Sequence, residues 1–384
     1  MNTRPVQLPL TEYIHTRAAR AGIPLNGTFE LTPCCNMACK MCYVRMTKRE
    51  QEAIAPLRTA AEWLRLGRTL RDAGMLYLLL TGGEPFLRPD LPEILAGLHE
   101  LGLVITMNSN GTLIDEKTVA WLKACPPFRI NITLYGASDE TYGRLCGNPR
   151  GFTQVTRAIQ LLKEAGITVK LNCSVTPDNA HDLEKMFAFA EQEQLILQAT
   201  CYMFPPLRRD VTMVGQNDRF TPEEAAWQNA RIVCLSWGQE RFLERMEAQE
   251  AVILREPGED CPELPLEGSG MRCRAGRCSF WVTWDGRLLP CGMFPGENAE
   301  NVFEHDFLQA WQRLRQDVAS IRLPAECSVC EQREDCKACA AMVVTESGDF
   351  SRVPEYRCRM SKAVDGACRA LAGELRAGKE GGGA

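Results

Sequence analysis

The sequence predicts an α/β protein whose C-terminal third is a separate cysteine-rich unit. Three observations carry this. From about Gly27 to Tyr202, short apolar runs of strand length alternate with stretches of helical periodicity, the pattern of a parallel sheet with crossover helices. Cysteines become dense beyond Asp260. A loop just after the first strand, residues 33–43, carries Cys35, Cys39 and Cys42 in a C-x3-C-x2-C spacing.

The elements follow in order. Phe29 to Thr32 is the first strand, and the cysteine loop continues from it. Thr59-Ala60-Ala61-Glu62 reads as a capping box opening a helix that Gly74 ends. Tyr77 to Leu80 is an apolar run of the kind that is covered on both faces. A helix over Leu91 to Leu101 precedes Gly102, and Val104 to Met107 is the third strand. Arg129 to Leu134 is the fourth. Val155, Ile159 and Leu162 are spaced for one face of a helix over Phe152 to Ala165. A fifth strand (Thr168 to Val175), a helix (Asn179 to Glu193) and a sixth strand (Gln198 to Tyr202) complete the alternation. Thr221-Pro222-Glu223-Glu224 opens a long helix reaching the mid-240s. Glu256-Pro257-Gly258-Glu259-Asp260 is a turn-rich boundary.

Composition bounds the function. The chain has 384 residues, 45% hydrophobic and 24% charged, with a net charge of −5 and 19 cysteines. This is globular composition with room for two or three domains. Mild acidity gives no field for nucleic acid or an anionic membrane. No run of about eighteen apolar residues predicts a membrane span. The N-terminus has no signal-peptide core, so a cytoplasmic location is expected. In a reducing compartment, many cysteines argue for metal binding over disulfides.

Active sites of parallel barrels lie at the carboxyl ends of the strands, so the residues after each strand are the candidates. Three thiolates on one loop hold three corners of a [4Fe–4S] cluster and leave one iron open for a substrate. A zinc knot is the alternative. Cys34 pairs with Cys39 at the wrong spacing and is a neighbour of the ligands. After strand two comes Thr81-Gly82-Gly83-Glu84-Pro85: glycines let the backbone approach a ligand, and a carboxylate accepts from an ammonium group. Asn108 to Thr112 follows strand three, Thr133-Leu134-Tyr135-Gly136 strand four.

The C-x3-C-x2-C loop followed one βα unit later by Gly-Gly-Glu-Pro resembles the radical S-adenosylmethionine (radical SAM) enzymes. The resemblance implies a partial (β/α)6 TIM-like barrel, a cluster on Cys35, Cys39 and Cys42, and SAM on its open iron. It implies SAM contacts from Tyr43, Gly82, Gly83, Glu84, Pro85, Asn108, Asn110, Thr133, Arg144 and Asn172. Tyr135 stands where peptide-modifying relatives often have Asp. Asn172 and Ser174 face ribose or substrate, or are buried polar residues satisfied within the sheet. The loop Cys201 to Asp210 is either a surface loop with an aromatic plug or a recognition loop whose Arg208-Arg209 pair meets carboxylates.

Cys273 and Cys291 enclose a hairpin signal at Asp285-Gly286. Cys327, Cys330, Cys336, Cys339 and Cys358 follow. This resembles the SPASM domain, with the gap between Cys336 and Cys339 one residue short. The resemblance implies two auxiliary [4Fe–4S] clusters. Cys273, Cys291 and Cys339 would hold the first, with Cys278 or Cys261 as the fourth ligand or one iron left open for substrate. Cys327, Cys330, Cys336 and Cys358 would hold the second. Structural zinc is the alternative. Cys125, Cys146, Cys173, Cys201, Cys234 and Cys368 read as small buried apolar residues. The expected organisation is an N-terminal extension (1–24), barrel (25–235), linker (236–265), SPASM domain (266–370) and flexible tail (371–384).

The expected function is SAM cleavage to a 5′-deoxyadenosyl radical that abstracts hydrogen. Relatives of this architecture mostly modify peptides or proteins, which is the favoured substrate class. The few residues before the barrel then imply a separate leader-binding partner or a protein substrate. A carboxylated small molecule such as a tetrapyrrole precursor is the alternative, and a non-catalytic electron carrier a third. A reductant such as flavodoxin or ferredoxin is implied. None of His15, His99, His181 and His305 falls at a predicted strand end, and the catalytic residues are not assigned.

Overall fold

The computed structural model describes residues 10–208, 211–215, 219–248, 270–333 and 335–381. The turn at residues 256–260, Cys261 and Arg209 lie outside them. Six strands alternate with helices as the sequence predicts. They are β1 (Asn26–Glu30), β2 (Tyr77–Thr81), β3 (Val104–Ser109), β4 (Arg129–Thr133), β5 (Val169–Ser174) and β6 (Leu197–Thr200). A hairpin, β7 (Ser279–Val282) and β8 (Leu288–Leu289), joins the same sheet, whose order is β6-β5-β4-β3-β2-β1-β7-β8. Pairing is parallel from β6 to β7, and β8 closes antiparallel on β7.

The helices up to the end of the barrel are α1 (Leu10–Ala21), α2 (Lys48–Ile54), α3 (Ala60–Asp72), α4 (Leu91–Glu100), α5 (Glu116–Ala124), α6 (Asp139–Cys146), α7 (Gly151–Glu164), α8 (Leu183–Gln192) and α9 (Pro222–Trp237). Beyond them come α10 (Gln239–Glu247), α11 (Phe307–Ser320), α12 (Ala325–Ser328), α13 (Ala340–Ser347) and α14 (Glu355–Gly381). Capping explains the starts. Thr59 and Thr221 accept from the N3 amides while Glu62 and Glu224 reach back, giving full capping boxes. The long helix expected from Thr221 breaks at Gly238, where φ is +84° and glycine is favoured. The expected tail is likewise corrected: α14 runs unbroken through residue 371 and on to Gly381, its Cys368 and Leu371 packing against Ala230, Val233 and Cys234 of α9.

The core sits between sheet and helices. On β3, β4 and β5, fully buried residues alternate with half-exposed ones. Ile105, Met107, Ile130, Ile132, Leu171 and Cys173 are buried. Asn108, Asn131, Thr133, Asn172 and Ser174 are half-exposed and form a polar inner face. β2 follows the same rule: Leu78 and Leu80 are buried while Tyr77 and Leu79 are half-exposed. The apolar run is therefore covered on one face and opens on the other, as an incompletely closed barrel requires.

Candidate functional site

The cysteine loop and the Gly-Gly-Glu turn lie backbone on backbone. Gly83 N donates to Thr32 O at 2.6 Å and Glu84 N to Cys34 O at 2.9 Å. A Cβ on Gly82 would stand 2.4 Å from Thr32 O, and one on Gly83 2.4 Å from Cys34 O. Only glycine fits at either position. The middle of the loop is held from α6: Ala38 N donates to Cys146 O at 2.8 Å and Lys40 N to Leu145 O at 3.1 Å.

The three loop thiols are half-buried and already hydrogen-bonded. Met37 N donates to Cys35 Sγ at 3.4 Å, and Arg45 N to Cys42 Sγ at 3.3 Å. Burial pushes the Cys35 thiol up to about 12. Cys39 is held below the usual thiol range, first by the Cys146 thiol and, against burial, by the Tyr135 hydroxyl. Neither Cys146 nor Tyr135 was expected to touch this loop. The signal for Tyr135 was its place two residues beyond strand four; nothing local marks Cys146.

Glu84 is fully buried beside the loop. Its carboxylate accepts from Asn110 N at 2.7 Å, Ser109 Oγ at 2.9 Å and Phe86 N at 3.1 Å. Burial nevertheless pushes it up to about 7. Asn110 Nδ2 turns to Asn36 Oδ1 at 2.9 Å and Cys35 Sγ at 3.6 Å. The ends of β1, β2 and β3 thus converge on one spot that combines sulfur, amide and a carboxylate able to ionise. Such a spot suits an amino group next to a metal cluster. Pro85 opens the short 3-10 turn behind Glu84.

Other expected contacts divide. Asn108 accepts from Asn131 Nδ2 at 2.8 Å on the inner face. Thr133 and Asn172 are register partners on that face. Arg144 is not with them: it lines an open cleft with Ser138, His181 and Lys185, donating to Asp178 O at 2.7 Å. Tyr43 lies beside the end of the cysteine loop. It packs under the Arg208 guanidinium at 5.6 Å, and burial holds its phenol well above the usual range, with the Cys42 and Cys291 thiols adding to the shift.

Arg208 does not wait for a substrate carboxylate. Its side chain is 6% exposed and pairs with the fully buried Glu30 at 2.7 Å. It also donates to Gly292 O at 2.9 Å, while Trp281 Nε1 donates to Glu30 at 3.0 Å. The residue ties β1 to the hairpin unit.

The C-terminal cysteines fall into two groups. Cys273, Cys291 and Cys339 pack around Met271, Phe294, Ala340 and Ala341. Burial pushes Cys291 up to about 12, with the Cys339 and Cys273 thiols adding to it. Cys339 is the N-cap residue of α13; the amides of Met342 and Ala341 favour its thiolate, but burial outweighs them and raises the thiol. Burial also raises Cys327, with Cys336, Cys358 and Cys330 bearing on it in turn. Cys278 is fully buried and packs with Ala18, Ala19 and Leu25. Of the cysteines read as small apolar residues, Cys146, Cys173, Cys201, Cys234 and Cys368 are buried and Cys125 half-buried.

The grouped thiols are soft donors of the kind that hold an iron–sulfur cluster. Among the described residues, the buried Nε atoms of Arg45, Arg58, Arg129, Arg208, Arg287 and Arg357 have no hydrogen-bond acceptor.

Residues 29–190 match the family described as the radical SAM superfamily. The AdoMet-dependent heme synthase of Methanosarcina barkeri is 26% identical over 355 residues, 88% of this chain and 97% of that protein. The antilisterial bacteriocin subtilosin biosynthesis protein AlbA of Bacillus subtilis is 27% identical over 74% of this chain and 58% of its own. The structure of native anSMEcpe with bound AdoMet superposes with a TM-score of 0.67 at 18% identity, covering 92% of this chain and 99% of that one.

Proposed function

We infer, from the premise that this chain is a radical SAM enzyme with a SPASM-like cysteine-rich C-terminal region, that its substrate is a carboxylated small molecule of the tetrapyrrole class. One observation carries the reading. The likeness to a heme synthase runs through 97% of that protein, whereas the likeness to AlbA spans 58% of its length. Likeness to anSMEcpe, at 18% identity, speaks for the fold.

A bound [4Fe–4S] cluster with S-adenosylmethionine supplies hydrogen abstraction from an unactivated carbon. The chain's part is to hold and aim. Cys35, Cys39 and Cys42 would hold the cluster. Glu84, with Ser109 and Asn110, would take the amino group of SAM, and Gly82 and Gly83 let it come close. The inner face of Asn108, Asn131, Thr133, Asn172 and Ser174 offers hydrogen bonds to a polar substrate. On a propionate side chain, loss of one hydrogen atom followed by loss of carbon dioxide and one electron leaves a vinyl group. A one-electron reductant of the flavodoxin or ferredoxin kind, in the cytoplasm, would start each turnover.

The test is anaerobic. Reconstituted protein receives dithionite, SAM and Fe-coproporphyrin III, and both 5′-deoxyadenosine and porphyrin mass are followed. Deoxyadenosine formed in step with loss of carbon dioxide and hydrogen from the porphyrin is the expected result. Deoxyadenosine formed at the same rate with and without porphyrin, with the porphyrin mass unchanged, would overturn the substrate class. The peptide reading would then take its place if a short peptide encoded beside the gene were modified.

A further inference from the structure

Arg208 is paired with Glu30, so a substrate carboxylate has to find its cation elsewhere. Strand register leads to the barrel wall. Residues alternate along a strand, and partners on adjacent parallel strands face the same way. Thr106 partners Arg129, Asn108 partners Asn131, Asn131 partners Lys170, and Asn172 partners Gln198. Arg129, the first residue of β4, and Lys170, the second of β5, therefore share the inner face with Asn108, Asn131 and Asn172. Both are half-exposed.

The charge on this face is one-sided. Glu30, at the end of β1, lies on it too, but Arg208 and Trp281 Nε1 take its carboxylate. No other inner-face position of β1 to β6 carries an acidic residue. Lys170 donates to Gln198 Oε1, a neutral group. The Nε of Arg129 is buried without an acceptor, and among the described residues no carboxylate pairs with its guanidinium. Arg58, Arg208 and Arg287 share the unmatched Nε, yet each has a carboxylate within 3.4 Å. Arg129 is thus a cation left over inside the barrel. It stands level with Thr106, three residues before Ser109, whose hydroxyl meets Glu84 at 2.9 Å. At about 3.3 Å per residue, it lies roughly 10 Å below Glu84, toward the amino ends of the strands.

We propose that Arg129 and Lys170 form a carboxylate-binding subsite on the inner wall of the barrel, which holds propionates at one edge of a tetrapyrrole while a propionate at another edge is presented beneath Glu84. This rests on the tetrapyrrole reading above and names the residues that would select for it. The separation from Glu84 is one that a rigid macrocycle bridges and a lone carboxylic acid does not. Arg129 offers a planar fork that matches a carboxylate, and Lys170 a mobile point charge. Asn131, between them, offers hydrogen bonds of its own. On the β2 side the half-exposed Leu79 gives the ring an apolar neighbour.

The test is a binding titration on reconstituted protein without SAM, under anaerobic conditions, followed by porphyrin absorbance, so that turnover plays no part. The probes are Fe-coproporphyrin III and its fully amidated derivative, which keeps the ring and loses the charges. Arg129→Gln and Lys170→Gln are each expected to weaken the acid about tenfold or more, the worth of one charged hydrogen bond. Both should leave iron content and SAM affinity as they are. Arg129→Lys should recover part of the loss, and the amide should bind wild type and variants alike. Acid binding unchanged in both Gln variants would overturn the subsite, and would leave the substrate class standing where the wild type still converts the porphyrin. Equal weakening of acid and amide would overturn it as well, since that marks lost packing. No saturable binding of the acid by the wild type would overturn the subsite and the substrate class together.

Discussion

Glu84 joins chemistry and stability at one residue. An acid raised from 4.5 to about 7 by burial keeps its proton longer in the folded state. The ligand-free fold therefore loses stability as pH rises from about 4.5 to about 7, by up to ~3 kcal/mol, and no further above that. A cationic ligand requires the ionised form. Affinity for SAM should rise about tenfold per pH unit below 7 and level off above it, measurable by equilibrium dialysis between pH 5.5 and 8. Glu84→Gln should remove the slope, and a flat profile in the wild type would dispose of Glu84 as the ammonium acceptor. Gly83 makes a second prediction. Its missing Cβ would strike two backbone oxygens, Cys34 O at 2.4 Å and Pro33 O at 2.6 Å. Backbone gives way little, so Gly83→Ala should displace the cysteine loop and lose about four irons per chain on reconstitution. A full iron complement in the variant would show the turn to be more compliant than its contacts imply.

Elements are joined by buried charge more than the local sequence reveals. Arg219, just ahead of α9, and Glu346 on α13 are 4% and 3% exposed and pair at 2.6 Å. Arg219 also lies 3.4 Å over the ring of Tyr356 on α14. Removing one partner strands the other, so Glu346→Gln should cost about 3–5 kcal/mol in urea unfolding. Arg219→Met added to it should restore part of that loss, and strictly additive losses would contradict a direct pair. What the sequence made legible was local. Capping boxes at Thr59 and Thr221, strand-length apolar runs, and the glycines at 82 and 83 all act within a few residues. Long-range partners are invisible in it: Glu30 answers Arg208 from 178 positions away, so an arginine that the sequence allows as a carboxylate-recognition residue is a joint. The tail was misread for a related reason. Its glycines argue for flexibility alone, but Cys368 and Leu371 pack on α9 and carry the helix past them.

At the scale of the whole molecule, one sheet joins two unlike parts. β7 adds to β1 in register, Phe29 beside Val282. The approach is close enough that a Cβ on Gly27 would stand 2.6 Å from the Phe280 ring. The barrel brings its own core of Ile, Leu and Val between the sheet and its helices. The far end of the C-terminal unit does not. From residue 325 to 339 no described residue is buried, α12 contributes none, and Val329 is 82% exposed. Apolar burial cannot offset the chain entropy of ordering such a stretch, and we propose that ligand bonds through Cys327, Cys330, Cys336 and Cys358 supply its order. Reconstituted protein should therefore hold about twelve irons, and the Cys35/Cys39/Cys42→Ala triple variant about eight. Treatment with an iron chelator should leave β2 to β5 protected in hydrogen exchange while residues 325–339 exchange at nearly the unfolded rate. Protection of that stretch in iron-free protein would mean that something other than metal holds it, and the second cysteine group would lose its reason to be a cluster.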